Sequence, residues 1–150
     1  MLKFFDKLIQ LPIQNKESMA IDSKKMFDLT NLNEMLGGDQ KAIFQMVKIF
    51  LQATPESLTE LNKCYQKEDY DGVSKLAHKL KSSVDIFCIN DIKQDIRRLE
   101  NNTRDNINID EVPDQVEKIN NTLNLAIEQV KEEKEILYKQ LFENENASKS

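Results

Sequence analysis

The sequence predicts an all-α protein, an antiparallel helical bundle, and three observations carry that expectation. Glycine and proline each occur only three times in 150 residues, too little punctuation for a many-turned β architecture. Apolar residues recur at intervals of three and four along successive runs, the period of a helix with one buried face. No run sustains the apolar–polar alternation of a half-buried strand.

The elements follow in order. Leu2, Phe5, Leu8 and Ile9 stand at helical spacing before Pro12, which predicts a short helix docked on the body. A membrane-surface role suits this segment poorly, because it is short and Asp6 offsets its lysines. The polar stretch "NKESMAIDS" completes an N-terminal helix and linker over residues 1–25. Met26, Leu29 and Leu32 predict a short helix ending at Gly37 and Gly38. Asp39 is a suitable cap for the next helix, where Ile43, Met46, Val47, Phe50 and Thr54 share a stripe. "TPES" reads as a fresh start, with Thr54 as cap and Pro55 at the first helical position. Leu58, Leu61 and Tyr65 then face inward, and "KEDYDG" makes a break.

From Tyr70 to Phe87 the residues Val73, Leu76, Ala77, Leu80, Val84 and Phe87 form one apolar series. Asn90 is placed to cap a further helix bearing Ile92, Ile96 and Leu99, and "ENNTRDNINIDEV" reads as a polar loop. After Pro113, the stripe Val116, Ile119, Leu123, Ala126 and Val130 predicts a long helix, continuing less regularly through Leu137 and Leu141. About 30 helical residues span roughly 45 Å, more than a compact bundle of this size requires. Leu2, Phe5 and Ile9 are therefore expected to cover Ile136, Leu137 and Leu141, within one chain or between two, and the oligomeric state stays open. The bundle is placed at residues 26–142, with a disordered tail at 143–150.

Composition narrows the function. Hydrophobic residues at 39% and charged residues at 31% fit a folded soluble domain. A net charge of −5 with no cationic block gives no track for a phosphate backbone, so no nucleic-acid partner is expected. Cys64 and Cys88 form no CxxC motif and read as reduced thiols. No apolar run reaches signal-peptide or transmembrane length, so a cytoplasmic protein without a membrane partner is expected. The initiating Met1 and the polar tail predict a free-standing chain.

The single histidine, His78, lies in "AHKLKSSVDIFC". At about 100° per residue it falls roughly 140° from the centre of its helix's apolar set. The same arithmetic puts Ser74, Lys81, Ser82 and Asp85 on the histidine's face, predicted to be the outer one. A metal site is not expected, with no second histidine and no cysteine at ligand spacing. Ser82 and Ser83 lack the sharp elbow and oxyanion loop of a nucleophile, and no glycine loop cradles a phosphate. Transient attachment of a phosphoryl group does suit this setting. An imidazole of ordinary pKa, about 6.5, is mostly neutral and nucleophilic at pH 7. Lys81, one turn on, can pair with phosphoryl oxygens, and Ser82 is small enough to let another protein approach and can donate a hydrogen bond.

"HKLKSS", His78 to Ser83, resembles the signature of histidine-containing phosphotransfer (HPt) domains: histidine, two residues, lysine, then a small residue. The order upstream is also similar, running through glycines, an apolar helix, a proline and an acidic turn to the histidine helix, and the likeness covers roughly residues 26–130. The resemblance implies a four-helix bundle with accessory helices, working as a phosphorelay intermediate of a two-component system. His78 would be the phosphoacceptor, taking the group from a receiver-domain aspartate and passing it to another receiver, with Lys81 its electrostatic partner. The implied partners are receiver domains of hybrid histidine kinases and response regulators. They would bring the metal ion, Mg²⁺, so the chain itself needs no cofactor and no nucleotide site, and is not an enzyme in its own right.

Two departures stand out. The family often has glycine where this chain has Ser82, and another six residues further on, where it has Cys88. With Asp85, which adds negative charge on the expected outer face, they support a second reading, a non-phosphorylated adaptor that binds receivers. Lys75 and Lys79 read as solvated, Arg97 and Arg98 as surface partners of Glu100 or Asp95, and Ile86 and Phe44 as candidate docking residues.

Overall fold

The structure, a computed structural model, describes residues 24–143. The helix expected over residues 1–11, most of the linker and the tail from residue 144 lie outside the described residues, whereas Ile136, Leu137 and Leu141, its expected packing partners, lie within them. Within them the architecture is all-α, with no strand. Helix α1 spans Thr30–Met35, α2 Gln40–Gln66, α3 Tyr70–Ile86, α4 Lys93–Asp105 and α5 Val112–Tyr138. A 3-10 turn, Asn90–Ile92, precedes α4; another, Ile109–Glu111, precedes α5; and a π turn, Lys139–Glu143, closes the described chain.

Helices α2 to α5 form the four-helix bundle, with α3 packed on α2 and α4, and α5 on α2 and α4. Its core is aliphatic: Val47, Leu61, Val73, Leu80, Ile96, Leu99, Ile119 and Leu123 are all essentially inaccessible. Phe50 and Phe87 stack at one end with ring centroids 4.3 Å apart. A reciprocal amide pair, Asn62 with Asn120 at 2.8 Å in both directions, ties α2 to α5.

Local signals explain the starts. Asp39 accepts from the amides of Lys41 and Ala42 at the head of α2, and Asp69 accepts from Gly72 at the head of α3. Gly37 and Gly38 take φ of +61° and +77°, the left-handed conformation that releases the chain from α1.

Three expectations are corrected. "TPES" does not start a helix: α2 runs through it, with Pro55 inside and Thr54 buried. Proline cannot donate to the carbonyl four residues back, but Val47, Phe50, Leu58 and Leu61 stay in phase on both sides, and their burial holds the helix continuous. Asn90 makes no capping bond; α4 is entered instead through the 3-10 turn. The polar stretch from Glu100 is mostly helix, because α4 extends to Asp105 with Glu100, Asn102 and Thr103 buried. It ends where Asn106 adopts a left-handed φ of 57° and its amide donates to the Asn102 carbonyl.

At the far end of α5, Leu137 is buried, while Ile136 remains 49% exposed. Phe44 is buried beneath Tyr138 and Phe142, with centroids at 6.2 and 5.7 Å, and so does not serve as a docking residue. Ile86 is half-buried against the core.

Candidate functional site

Helix α3 is a two-sided element. Val73, Ala77, Leu80 and Val84 recur at helical spacing and are buried. Phase then determines where every other residue of the helix points. His78 follows Ala77 by one position, about 100° around the axis, and its side chain is 67% exposed.

That exposure is only part of the geometry. Ser74, Lys81 and Asp85 share the histidine's stripe, yet Ser74 is buried and Lys81 and Asp85 are half-buried. The stripe is a seam between α3 and α4 and not an outward face, which corrects the expectation for Ser74 and Asp85. Across the seam the Ser74 hydroxyl donates to the Glu100 carbonyl at 3.3 Å. Arg97 donates to Asp85 at 2.7 Å, so the charge of Asp85 is met within the chain.

Glu100 organises the seam. Its Oε2 lies 2.7 Å from His78 Nδ1, and its Oε1 lies 2.8 Å from Lys81 Nζ. An ionised carboxylate only accepts hydrogen bonds, so the Nδ1 facing it carries the ring proton. The neutral ring then has its lone pair on Nε2, which makes no hydrogen bond among the described residues. Burial pushes the Glu100 carboxyl up, but hydrogen bonds from Lys81 and His78, reinforced by their charges, hold it below its ordinary value. At neutral pH Glu100 is therefore an anion, 11% exposed, with both oxygens engaged.

The three sequence-predicted residues fall together but differ in surroundings. His78 is displayed with one nitrogen anchored. Lys81 is 28% exposed and bound to Glu100, not standing free. Ser82 is exposed at the rim, and its hydroxyl has no hydrogen-bond partner among the described residues. Arg98 pairs with Glu111 and Asp95 with Lys118, in place of the pairs expected from sequence. Lys75 is exposed and pairs with Asp71 along its own helix.

Glu100 is the site residue that sequence reasoning misplaced, as a surface partner of Arg97 or Arg98, whereas it is buried and pairs with His78 and Lys81. Its signal was available: it follows Ile96 by four positions, on the buried stripe of α4. A carboxylate on an apolar stripe requires partners, and a search for them leads to the seam.

Cys88 occupies the turn after α3 with φ of 50°. Its amide donates to the Asp85 carbonyl at 3.2 Å, and that of Ile89 to Val84 at 2.9 Å, a helix stop in which the left-handed residue is usually glycine. Among the described residues no cluster of three or more histidine, cysteine or acidic side chains is placed to hold a metal ion. No helix among them is long and apolar enough to cross a membrane.

A family model described as "Hpt domain" matches residues 45–133, more than half of the chain and including the whole seam. Searches of curated proteins and of solved structures gave no match.

Proposed function

The chain belongs to the Hpt domain family, whose members carry out histidine phosphotransfer in two-component phosphorelays, and from that premise we propose that His78 Nε2 is its phosphoacceptor. The observation that carries the proposal is the anchored ring: Nδ1 held at 2.7 Å by Glu100 while the imidazole is 67% exposed.

The Nε2 lone pair attacks the phosphorus of a receiver aspartyl-phosphate. The N–P bond forms, the P–O bond to the aspartate breaks, and the receiver carboxylate leaves with the bonding electrons. The ring keeps its proton on Nδ1 and becomes positively charged, and the ionised Glu100 beside it stabilises that charge. Transfer onward reverses the bonds: a second receiver's carboxylate attacks phosphorus, and the N–P electrons return to Nε2.

Lys81 supplies a cation bound to the same carboxylate as the histidine. Its pairing with Glu100 fixes the carboxylate and leaves an ammonium able to turn toward an incoming phosphoryl group. Ser82, small and exposed, gives a receiver room to approach. The metal ion of the reaction, Mg²⁺ by expectation, belongs to the receiver, and a cytoplasmic setting among hybrid kinases and response regulators is part of the same proposal.

Incubation with a panel of phosphorylated receiver domains tests this reading. Acid-labile label is expected on the wild-type chain and none on His78→Gln, with an unchanged helical circular-dichroism spectrum. Label that survives the substitution rejects His78. Receivers that bind but never transfer point to the adaptor reading instead.

A further inference from the structure

Outside the seam, one surface of the bundle is built from mismatched parts. Along α5, Leu125, Gln129, Glu132 and Ile136 recur at intervals of four, three and four, forming a stripe beside the buried one. Leu125 is 36% and Ile136 49% exposed in a shallow groove, above a Phe27 that is itself buried. Glu128, Glu132 and Glu133 line it against a single lysine, Lys25. The groove is therefore apolar along its floor and acidic at its rim.

The chain enters the described structure at this groove. Gln129 donates to the Lys24 carbonyl at 2.8 Å and accepts from the Met26 amide at 2.7 Å. These two bonds pin residues 24–26 to the middle of the stripe. Whatever precedes residue 24 is tethered there.

We infer that residues 2–9 of the same chain are the occupant of this groove, with Leu2, Phe5, Leu8 and Ile9 against Leu125 and Ile136. The chemistry of the two surfaces is complementary. The segment offers apolar residues at helical spacing together with Lys3 and Lys7 against one Asp6, matching an apolar floor with a carboxylate rim.

Reach is no obstacle. Eleven residues, 13–23, separate Pro12 from Lys24 and span up to about 36 Å when extended. The groove from Leu125 to Ile136 is roughly 16 Å long. A tether of this length holds the segment at an effective concentration on the order of millimolar. A second copy at micromolar concentration competes poorly, which favours the chain's own segment. The site lies apart from His78, so the inference does not depend on the phosphotransfer proposal.

Zero-length carbodiimide crosslinking of the full chain at low micromolar concentration, read by peptide mass spectrometry, tests it. The expected product is a monomer carrying a bond from Lys3 or Lys7 to Glu128, Glu132 or Glu133. Phe5→Asp and Ile136→Asp should each abolish that bond and lower the melting temperature, and the double variant should melt no lower than the lower single variant. Leu125→Asp serves as a second groove variant should Ile136→Asp disturb the helical spectrum. Crosslinks found only between chains assign the groove to a second copy and overturn the inference. So do fully additive melting shifts, or the absence of any such crosslink.

Discussion

Glu100 on α4 accepts a hydrogen bond from the Nδ1–H of His78 on α3 at 2.7 Å, across 22 residues of sequence. The bond orients the ring and selects its tautomer. In the proposed reaction it also faces the charge that the ring acquires. Glu100→Gln retains an acceptor for Nδ1–H, whereas Glu100→Ala retains none. A hydrogen bond to a charged group contributes about 1.5–3 kcal/mol, which is roughly ten- to a hundredfold in rate. Glu100→Ala is expected to slow labelling of His78 by about that factor, and Glu100→Gln by clearly less. Single-turnover transfer from a phosphorylated receiver measures both, and equal rates in the two variants would exclude an orienting role.

The same carboxylate makes stability depend on pH. Burial alone would raise its pKa, but hydrogen bonds from Lys81 and His78 lower it below the ordinary 4.5. A depressed pKa in the folded state contributes stability that is fully present above the ordinary value. That contribution is lost as pH falls through the folded value. The difference in urea midpoint between wild type and Glu100→Gln should therefore shrink as pH falls between about 5 and 3. A difference that keeps its size down to pH 3 would show that the carboxylate draws nothing from its two partners.

Much of this fold is legible in the sequence, and the exceptions share one cause. Val73, Ala77, Leu80 and Val84 are buried as their spacing predicts, because one helix phase places them all on one side. Pro55 misleads because its local signal, a threonine followed by proline, is that of a helix start, while burial of Phe50 and Leu58 on either side prevails. The end of α4 is obscured by its polarity. Asn102 and Thr103 are buried because the chain satisfies them, Thr103 through the Leu99 carbonyl at 2.7 Å and Asn102 through Glu111 at 3.3 Å. His78, Lys81 and Ser82 share one short motif and are found together. Glu100 joins them only through the packing of α3 on α4, which periodicity within a single helix does not report.

The Cys64 thiol of α2 and the capping carboxylate of Asp69 crowd the space beside Gly72. A Cβ placed there would lie 2.6 Å from Cys64 Sγ and 2.6 Å from Asp69 Oδ2, the side chain that caps α3. Overpacking of this kind costs about 1–3 kcal/mol. Both clashing atoms end side chains that can turn aside, and alanine gains about 0.5–1 kcal/mol over glycine within a helix. Gly72→Ala should therefore lower stability in urea unfolding by less than that amount, and adding Cys64→Ala should restore part of it by removing one of the two clashing groups. If Gly72→Ala proves neutral, the contact between the helices is looser than the geometry indicates.

Cys88 makes the opposite prediction. Its φ of 50° places a side chain where the left-handed conformation crowds Cβ against the backbone, at a cost of roughly 1–2 kcal/mol. Glycine removes that cost while losing about 0.5–1 kcal/mol to the greater freedom of the unfolded chain. Cys88→Gly is thus expected to stabilise the domain by about 0.5–1 kcal/mol, whereas Cys88→Ala, which keeps the Cβ, should not. The resemblance to phosphotransfer domains already placed a glycine here, and the turn explains why: Cys88 N–H and Ile89 N–H close α3 through the Asp85 and Val84 carbonyls. Chemical denaturation of the three proteins under reducing conditions decides the matter. Should the glycine variant be less stable than wild type, packing of the half-buried thiol outweighs the backbone strain.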